Sequence, residues 1–273
     1  MQDTVISRRG MLKSAACGFG SLAIAGMQGA RALSDNPLAP QTPLIPQRAK
    51  RIIFIFMAGG PSHVDTFDYK PTLFEKDGKD FDFVGVRTGT FGKQSKRKLM
   101  KPMWDFKQHG ECGQYVSSLF PHIAGQVDDL AFIHSMHTEG VAHGPSTLFL
   151  HTGATNLVRP SMGSWVSYGL GTENENLPAY VSICPMASKG GPRNYGNAFL
   201  PSIHQGTAVG RAGSPEDARI KNVENSMLSS AQRKTRFDYM QSLNALQLGT
   251  AGSDDGMEST IKNYELAWRM QME

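Results

Sequence analysis

The chain has 273 residues, 40% of them hydrophobic, with a formal net charge of +4 at pH 7. This is enough for one domain with a sizeable core, and no apolar run is long enough for an internal membrane-spanning helix. The positive balance sits mostly in the first 32 residues; without them 24 Lys and Arg face 23 Asp and Glu, a net charge of +1. That removes the electrostatic basis for a nucleic-acid partner.

The N-terminal stretch Ser7-Arg8-Arg9-Gly10-Met11-Leu12-Lys13 resembles the twin-arginine export motif. A weakly apolar run follows it, and Ala30-Arg31-Ala32 offers a small-x-small cleavage site, so residues 1–32 are expected to be a signal peptide read by the twin-arginine translocation machinery. The product is then exported, periplasmic or extracellular, with no integral membrane span after processing. That route carries folded proteins, often already loaded with a cofactor. Cys17 lies within the apolar run and has no lipobox before it; Cys112 and Cys184 remain, as a disulfide or as two free thiols.

Residues 33–47 contain Pro37, Pro40, Pro43 and Pro46 and read as an extended linker. The domain, residues 48–273, opens with a continuous apolar run at 52–57, the pattern of a strand covered on both faces of a parallel sheet. Gly59-Gly60-Pro61 ends it. Ser62, His63, Asp65 and Asp68 follow within seven residues, at the carboxyl end of a strand, where open α/β sheets bind ligands.

Residues 74–103 show little periodicity and read as a long loop in which Lys96-Arg97-Lys98 forms a solvated face. From Gln114, the positions of Val116, Leu119, Phe120 and Ile123 suggest a helix, and residues 130–133 suggest a second buried strand. Beyond it His134, His137, Glu139 and His143 fall within ten residues, in a chain of only eight histidines. As a cluster they point to a site. Met162, Trp165, Val166 and Leu170 have the spacing of a helix with a core-facing stripe, and residues 179–184 read as a third strand. Arg193, Asn194 and His204 lie in a Gly-rich stretch and either face substrate or pack in a surface loop. Residues 216–248 are rich in helix formers, and a last helix is expected over 257–273. Strands alternating with helices predict an α/β fold with a doubly wound, mostly parallel sheet.

Four stretches carry a family resemblance: GGPSHVDTFD with Lys70-Pro71, HGPSTLFLHTG from His143, RPSMGSWVSYGLG from Arg159, and GGPRNYGNAFLPSIHQGTAV from Gly190. Together they resemble the bacterial family catalogued as domain of unknown function 1501, a sulfatase-like branch of the alkaline phosphatase superfamily. The resemblance implies an alkaline-phosphatase-like sheet flanked by helices, of which this chain holds the N-terminal portion. It also implies a relationship to phosphate- and sulfate-ester hydrolases that use a divalent metal ion.

Sulfatases place a nucleophile motif at the start of a helix. Superposing its Pro-Ser and Thr-Gly pairs on Pro145-Ser146 and Thr152-Gly153 puts the nucleophile position on His143. An imidazole there serves as nucleophile, general base or metal ligand. Ser146 is the second catalytic candidate, and Ser146, Thr147 and Arg193 are the candidate anion-binding residues beside a helix N-terminus. His63, Asp65, Asp68 and His143 are the candidate ligands of a zinc, manganese or calcium ion. One departure is Ala58, where superfamily members often carry Asp; a second is that the family's Asp-His pairs lie beyond Glu273. The expected partner is an anionic ester or a sulfated or phosphorylated polymer, the latter also for a non-catalytic binder.

Overall fold

The structure is a computed structural model that describes residues 36–272 apart from 44, 47, 83–95, 175, 221–226 and 252–254. The expected signal peptide lies outside the described residues. The chain is a mixed α/β protein whose described strands form three two-stranded sheets.

Helix α1 (Pro71–Glu75) starts on a proline, whose missing N-H belongs among the unbonded donors of a first turn. Strands β1 (Asp80–Asp82) and β2 (Lys96–Lys98) pair antiparallel, with Asp80 opposite Lys98 and Asp82 opposite Lys96. The basic triplet expected on a solvated face is therefore matched by carboxylates on the neighbouring strand. Strands β3 (Phe106–His109) and β4 (Gln114–Ser117) form a hairpin. The carboxylate of Asp128 closes its turn by accepting from the amides of Glu111 at 3.0 Å and Cys112 at 2.9 Å. Val116 of β4 is buried with Ala124 and Val127, and Phe67, Phe120 and Phe132 pack around them.

The helix expected from Gln114 is thus a strand, followed by a short helix α2 (Pro121–Ala124). Its apolar spacing was shared between two elements, and Pro121, which disfavours helix in the residue before it, sets the break. The apolar runs at 52–57 and 130–133 carry no strand pairing among the described residues, and Ile53 and Ile55 are 85% and 81% exposed. A continuous apolar run is a strand only where neighbouring strands take up its backbone groups, and the described ladders place none beside these two.

Helix α3 (His143–Thr152) ends at Gly153, whose φ of 70° is the left-handed stop that glycine favours. Helix α4 (Met162–Leu170) is N-capped by Ser161, whose side chain accepts from the Ser164 amide. Its buried face is Ser164 and Ser167, while Met162, Trp165 and Leu170, expected in the core, stand substantially exposed. The proline-rich linker is fastened here: Gln41 N-H donates to Leu170 O at 2.9 Å and Thr172 N-H to Leu38 O at 2.8 Å.

Strands β5 (Val181–Ile183) and β6 (Thr207–Val209) pair in parallel, in agreement with the strand read over 179–184. The C-terminal helices α5 (Ser230–Ala251) and α6 (Asp255–Met272) pack together through stacked Phe237 and Trp268. Serine hydroxyls join α6 to the short turn Ser202–His204, Ser202 donating to Ser259 at 2.6 Å. No described helix is long and apolar enough to cross a membrane. Cys112 and Cys184 are both free thiols, so no disulfide joins them.

Candidate functional site

The stretch after Gly59-Gly60 folds into a tight turn around one carbonyl. The amides of Thr66, Phe67 and Asp68 all donate to His63 O, at 3.2, 3.2 and 3.0 Å, and the Thr66 hydroxyl donates to Ser62 O and His63 O. Two further bonds fasten the turn to β4: Ser117 N-H to Thr66 O at 2.9 Å, and Gln114 Nε2 to Phe67 O at 3.3 Å. Phe67 then packs on Phe120 and Phe132. With its neighbours anchored in this way, Asp68 is held in a defined position.

Three basic side chains converge on that carboxylate. Lys70 Nζ lies 2.8 Å from Asp68 Oδ1, His134 Nδ1 lies 3.8 Å from the same oxygen, and His63 Nε2 lies 3.9 Å from Oδ2. The Asp68 side chain is 13% exposed, whereas those of Lys70, His134 and His63 are 50%, 39% and 76% exposed. The carboxylate is thus the inner member, and the donors form an outer rim. The ring of His134 stacks on Phe132, which fixes its plane.

Of the four expected metal ligands, His63 and Asp68 come together, and Asp65 and His143 are not among the groups on Asp68. Among the described residues no group of three His, Cys, Asp or Glu side chains stands close enough to share an ion. Asp68 has instead taken an ammonium partner. The expected donor set therefore does not fit a divalent ion as a set, because its one central carboxylate is engaged by Lys70 and two of its members lie elsewhere.

His143 opens α3 and is exposed. Ser146, the other catalytic candidate, donates its hydroxyl to Gly140 O at 2.7 Å, and Gly140 comes so close that an added Cβ would collide with Ser146. Thr147 is buried. Arg193 is exposed in the turn Gly191–Tyr195, which packs against α3. Beside it Asn194 donates to Lys189 O at 3.1 Å, while its Oδ1 is buried without a partner. The helix N-terminus is formed as expected, yet its hydroxyls face the protein.

His204 belongs to a buried network. It shares a 3.0 Å hydrogen bond with Ser167 through Nδ1 and is 4% exposed. Ser161 and Ser164 share a 2.9 Å bond, and Ser164 donates to Gly196 O at 3.1 Å. Burial pushes the Tyr180 phenol up, opposed by its hydrogen bond to Ser161. These hydroxyls and the imidazole are satisfied internally, which is the packed-loop alternative for His204. A separate groove of about 530 Å³ lies between α3 and α4 with His151 on its wall. Phe54 and Phe56 meet His151 edge-on at 5.4 and 5.2 Å, and burial holds its imidazole below the ordinary value.

The sequence named Lys70 only as part of a motif and His134 only as one of a cluster. Their signal was present: Lys70 lies two positions after Asp68, and His134 follows an apolar run directly.

The chain belongs to the family described as protein of unknown function (DUF1501), whose profile matches residues 49–273. No curated protein and no solved structure matches it.

Proposed function

We propose that this is an exported protein related to metal-dependent phosphate- and sulfate-ester hydrolases, and that it engages anionic esters, free or on sulfated or phosphorylated polymers. The observation supporting this most directly is the gathering of Lys70, His63 and His134 on Asp68, inside the motif that carries the resemblance. A kinship with the alkaline phosphatase superfamily, including its doubly wound sheet, is part of the same reading; the parallel pairing of β5 and β6 is compatible with it. The twin-arginine leader would deliver the folded chain outside the cytoplasm. A zinc, manganese or calcium ion remains part of the proposal at the level of the protein. The donors gathered on Asp68 do not form its site.

One observation favours a non-catalytic binder as second reading: the Ser146 hydroxyl is committed to Gly140 O, and a nucleophile must be free to attack. The two separate in a single assay. The purified protein, with its metal content measured, is offered aryl phosphates and aryl sulfates. Turnover that disappears in a His134→Gln variant is the expected result for the hydrolase. Absence of turnover together with saturable binding of a sulfated polysaccharide identifies the binder, and absence of both overturns the proposal. Export has its own test: Arg8→Lys with Arg9→Lys should strand the precursor in the cytoplasm, since lysine lacks the planar guanidinium fork.

A further inference from the structure

We propose that the exposed apolar run at 52–57, with Arg48, Lys50 and Arg51 before it, is a docking surface for a bilayer that contains anionic phospholipid. The chain lies on that surface without spanning it. This goes beyond the ester-binding reading and does not depend on it.

The run is held on one side and bare on the other. Phe54 and Phe56 meet the His151 ring of α3 edge-on, at 5.4 and 5.2 Å, and so fasten the run to the domain. The residues that alternate with them are in solvent: Ile53 and Ile55 are 85% and 81% exposed, and Met57 is 47% exposed. That is the period of two of an extended chain, with one face seated and the other presented. Ile52 adds a further exposed apolar side chain. Single exposed apolar residues are ordinary, whereas a contiguous row marks an interaction surface.

Charge identifies the partner. Residues 36–64 contain Arg48, Lys50 and Arg51 and no Asp or Glu. All three basic residues are exposed, and none has an ion-pair partner among the described residues. A second copy pairing strand to strand would meet the row with the same three cations and no carboxylate, in either direction of pairing. A sulfated polymer would satisfy the charge and leave the isoleucines in water. An anionic bilayer meets both needs. Its headgroups attract Lys and Arg within a Debye length, about 10 Å, and its acyl boundary takes up the apolar row. The backbone groups of 52–57, which have no hydrogen-bond partner among the described residues, stay hydrated in the headgroup region while the side chains enter.

The test measures hydrogen–deuterium exchange at 48–57 in the full chain while vesicles are added, either phosphatidylglycerol and phosphatidylcholine in equal parts or phosphatidylcholine alone. The readout is local, so lipid contacts of the first 32 residues do not enter it. Slowed exchange at 48–57 with the anionic vesicles, and none with phosphatidylcholine, is the expected result. Ile53→Ser with Ile55→Ser should abolish that protection without lowering the melting temperature, since both side chains stand in solvent. Arg48→Gln, Lys50→Gln and Arg51→Gln together should raise the lipid concentration for half-maximal protection by about a hundredfold, which is about fivefold for each basic residue near an anionic surface. Protection that appears without lipid and grows with protein concentration would overturn the inference and make this face an interface between copies. Equal protection by both kinds of vesicle would overturn it by removing the charge argument. Exchange at 48–57 that slows with heparin and with neither vesicle would overturn it in favour of a polymer.

Discussion

Two regions of this molecule place a histidine beside an oxygen of another side chain, and they differ in what surrounds the pair. His204 meets Ser167 at 3.0 Å where both are buried, and its ring lies edge-on to Tyr168. His134 meets Asp68 at 3.8 Å on an open rim with a lysine and a second histidine. The first pair is short and enclosed; its effect is on stability. The second is looser and charged, and the groups that could bind a ligand are the ones in solvent. A histidine beside a serine is therefore not by itself a sign of catalysis. Access is what separates a site from packing.

The sharpest way to break this comparison is to remove the buried imidazole. His204→Phe leaves the Ser167 hydroxyl without its partner and should cost about 1–3 kcal/mol, the penalty of an unsatisfied buried polar group. For a chain of this size that is a melting-temperature drop of about 2–4 °C per kcal/mol. An unchanged melt would show that His204 is not structural.

His151 sharpens the same contrast through pH. Burial lowers its folded value from the ordinary 6.5, so below 6.5 the unfolded chain takes up a proton that the folded chain resists, and stability falls as pH falls. His151→Phe should lose less stability between pH 7 and 5 than the wild type, measured by denaturant titration. A parallel pH profile would mean that the ring is not held neutral by its groove.

A smaller effect is expected at Asp128. The amide of Cys112 first, and that of Glu111 second, hold its carboxyl below the ordinary 3.8. Its contribution is present above 3.8 and is lost as pH falls through the lowered folded value. Asp128→Asn should flatten the acid limb of the stability profile below pH 4, and an unaltered limb would assign the hairpin turn to the positive-φ glycines that flank it, Gly110 and Gly113.

Much of this arrangement was legible in the sequence where local chemistry decides it. Helix α3 begins at His143 and α4 follows Pro160, as their motifs implied, and β5 falls inside the strand read over 179–184. Asp68 and His63 were both named. Reading failed where one apolar pattern spans two elements, as in β4 and α2, and where polarity misleads about burial. On α4 the serines are inside because they bond to one another, to Gly196 O and to His204, while Trp165 and Met162 line a groove. Periodicity reports hydrophobic faces and says nothing of hydroxyls that satisfy one another. The convergence of Lys70 and His134 on one carboxylate was also beyond it, because 64 positions separate those two residues.

The central claim, that an oxyanion binds on the Asp68 rim, is tested most directly by diffraction from crystals soaked in tungstate, whose anomalous signal marks a tetrahedral dianion without reference to activity. The account predicts a peak about 3 Å from Lys70 Nζ, the distance of a charge-assisted bond. A peak beside His143 and Arg193 at the start of α3, with none at Lys70, would contradict it.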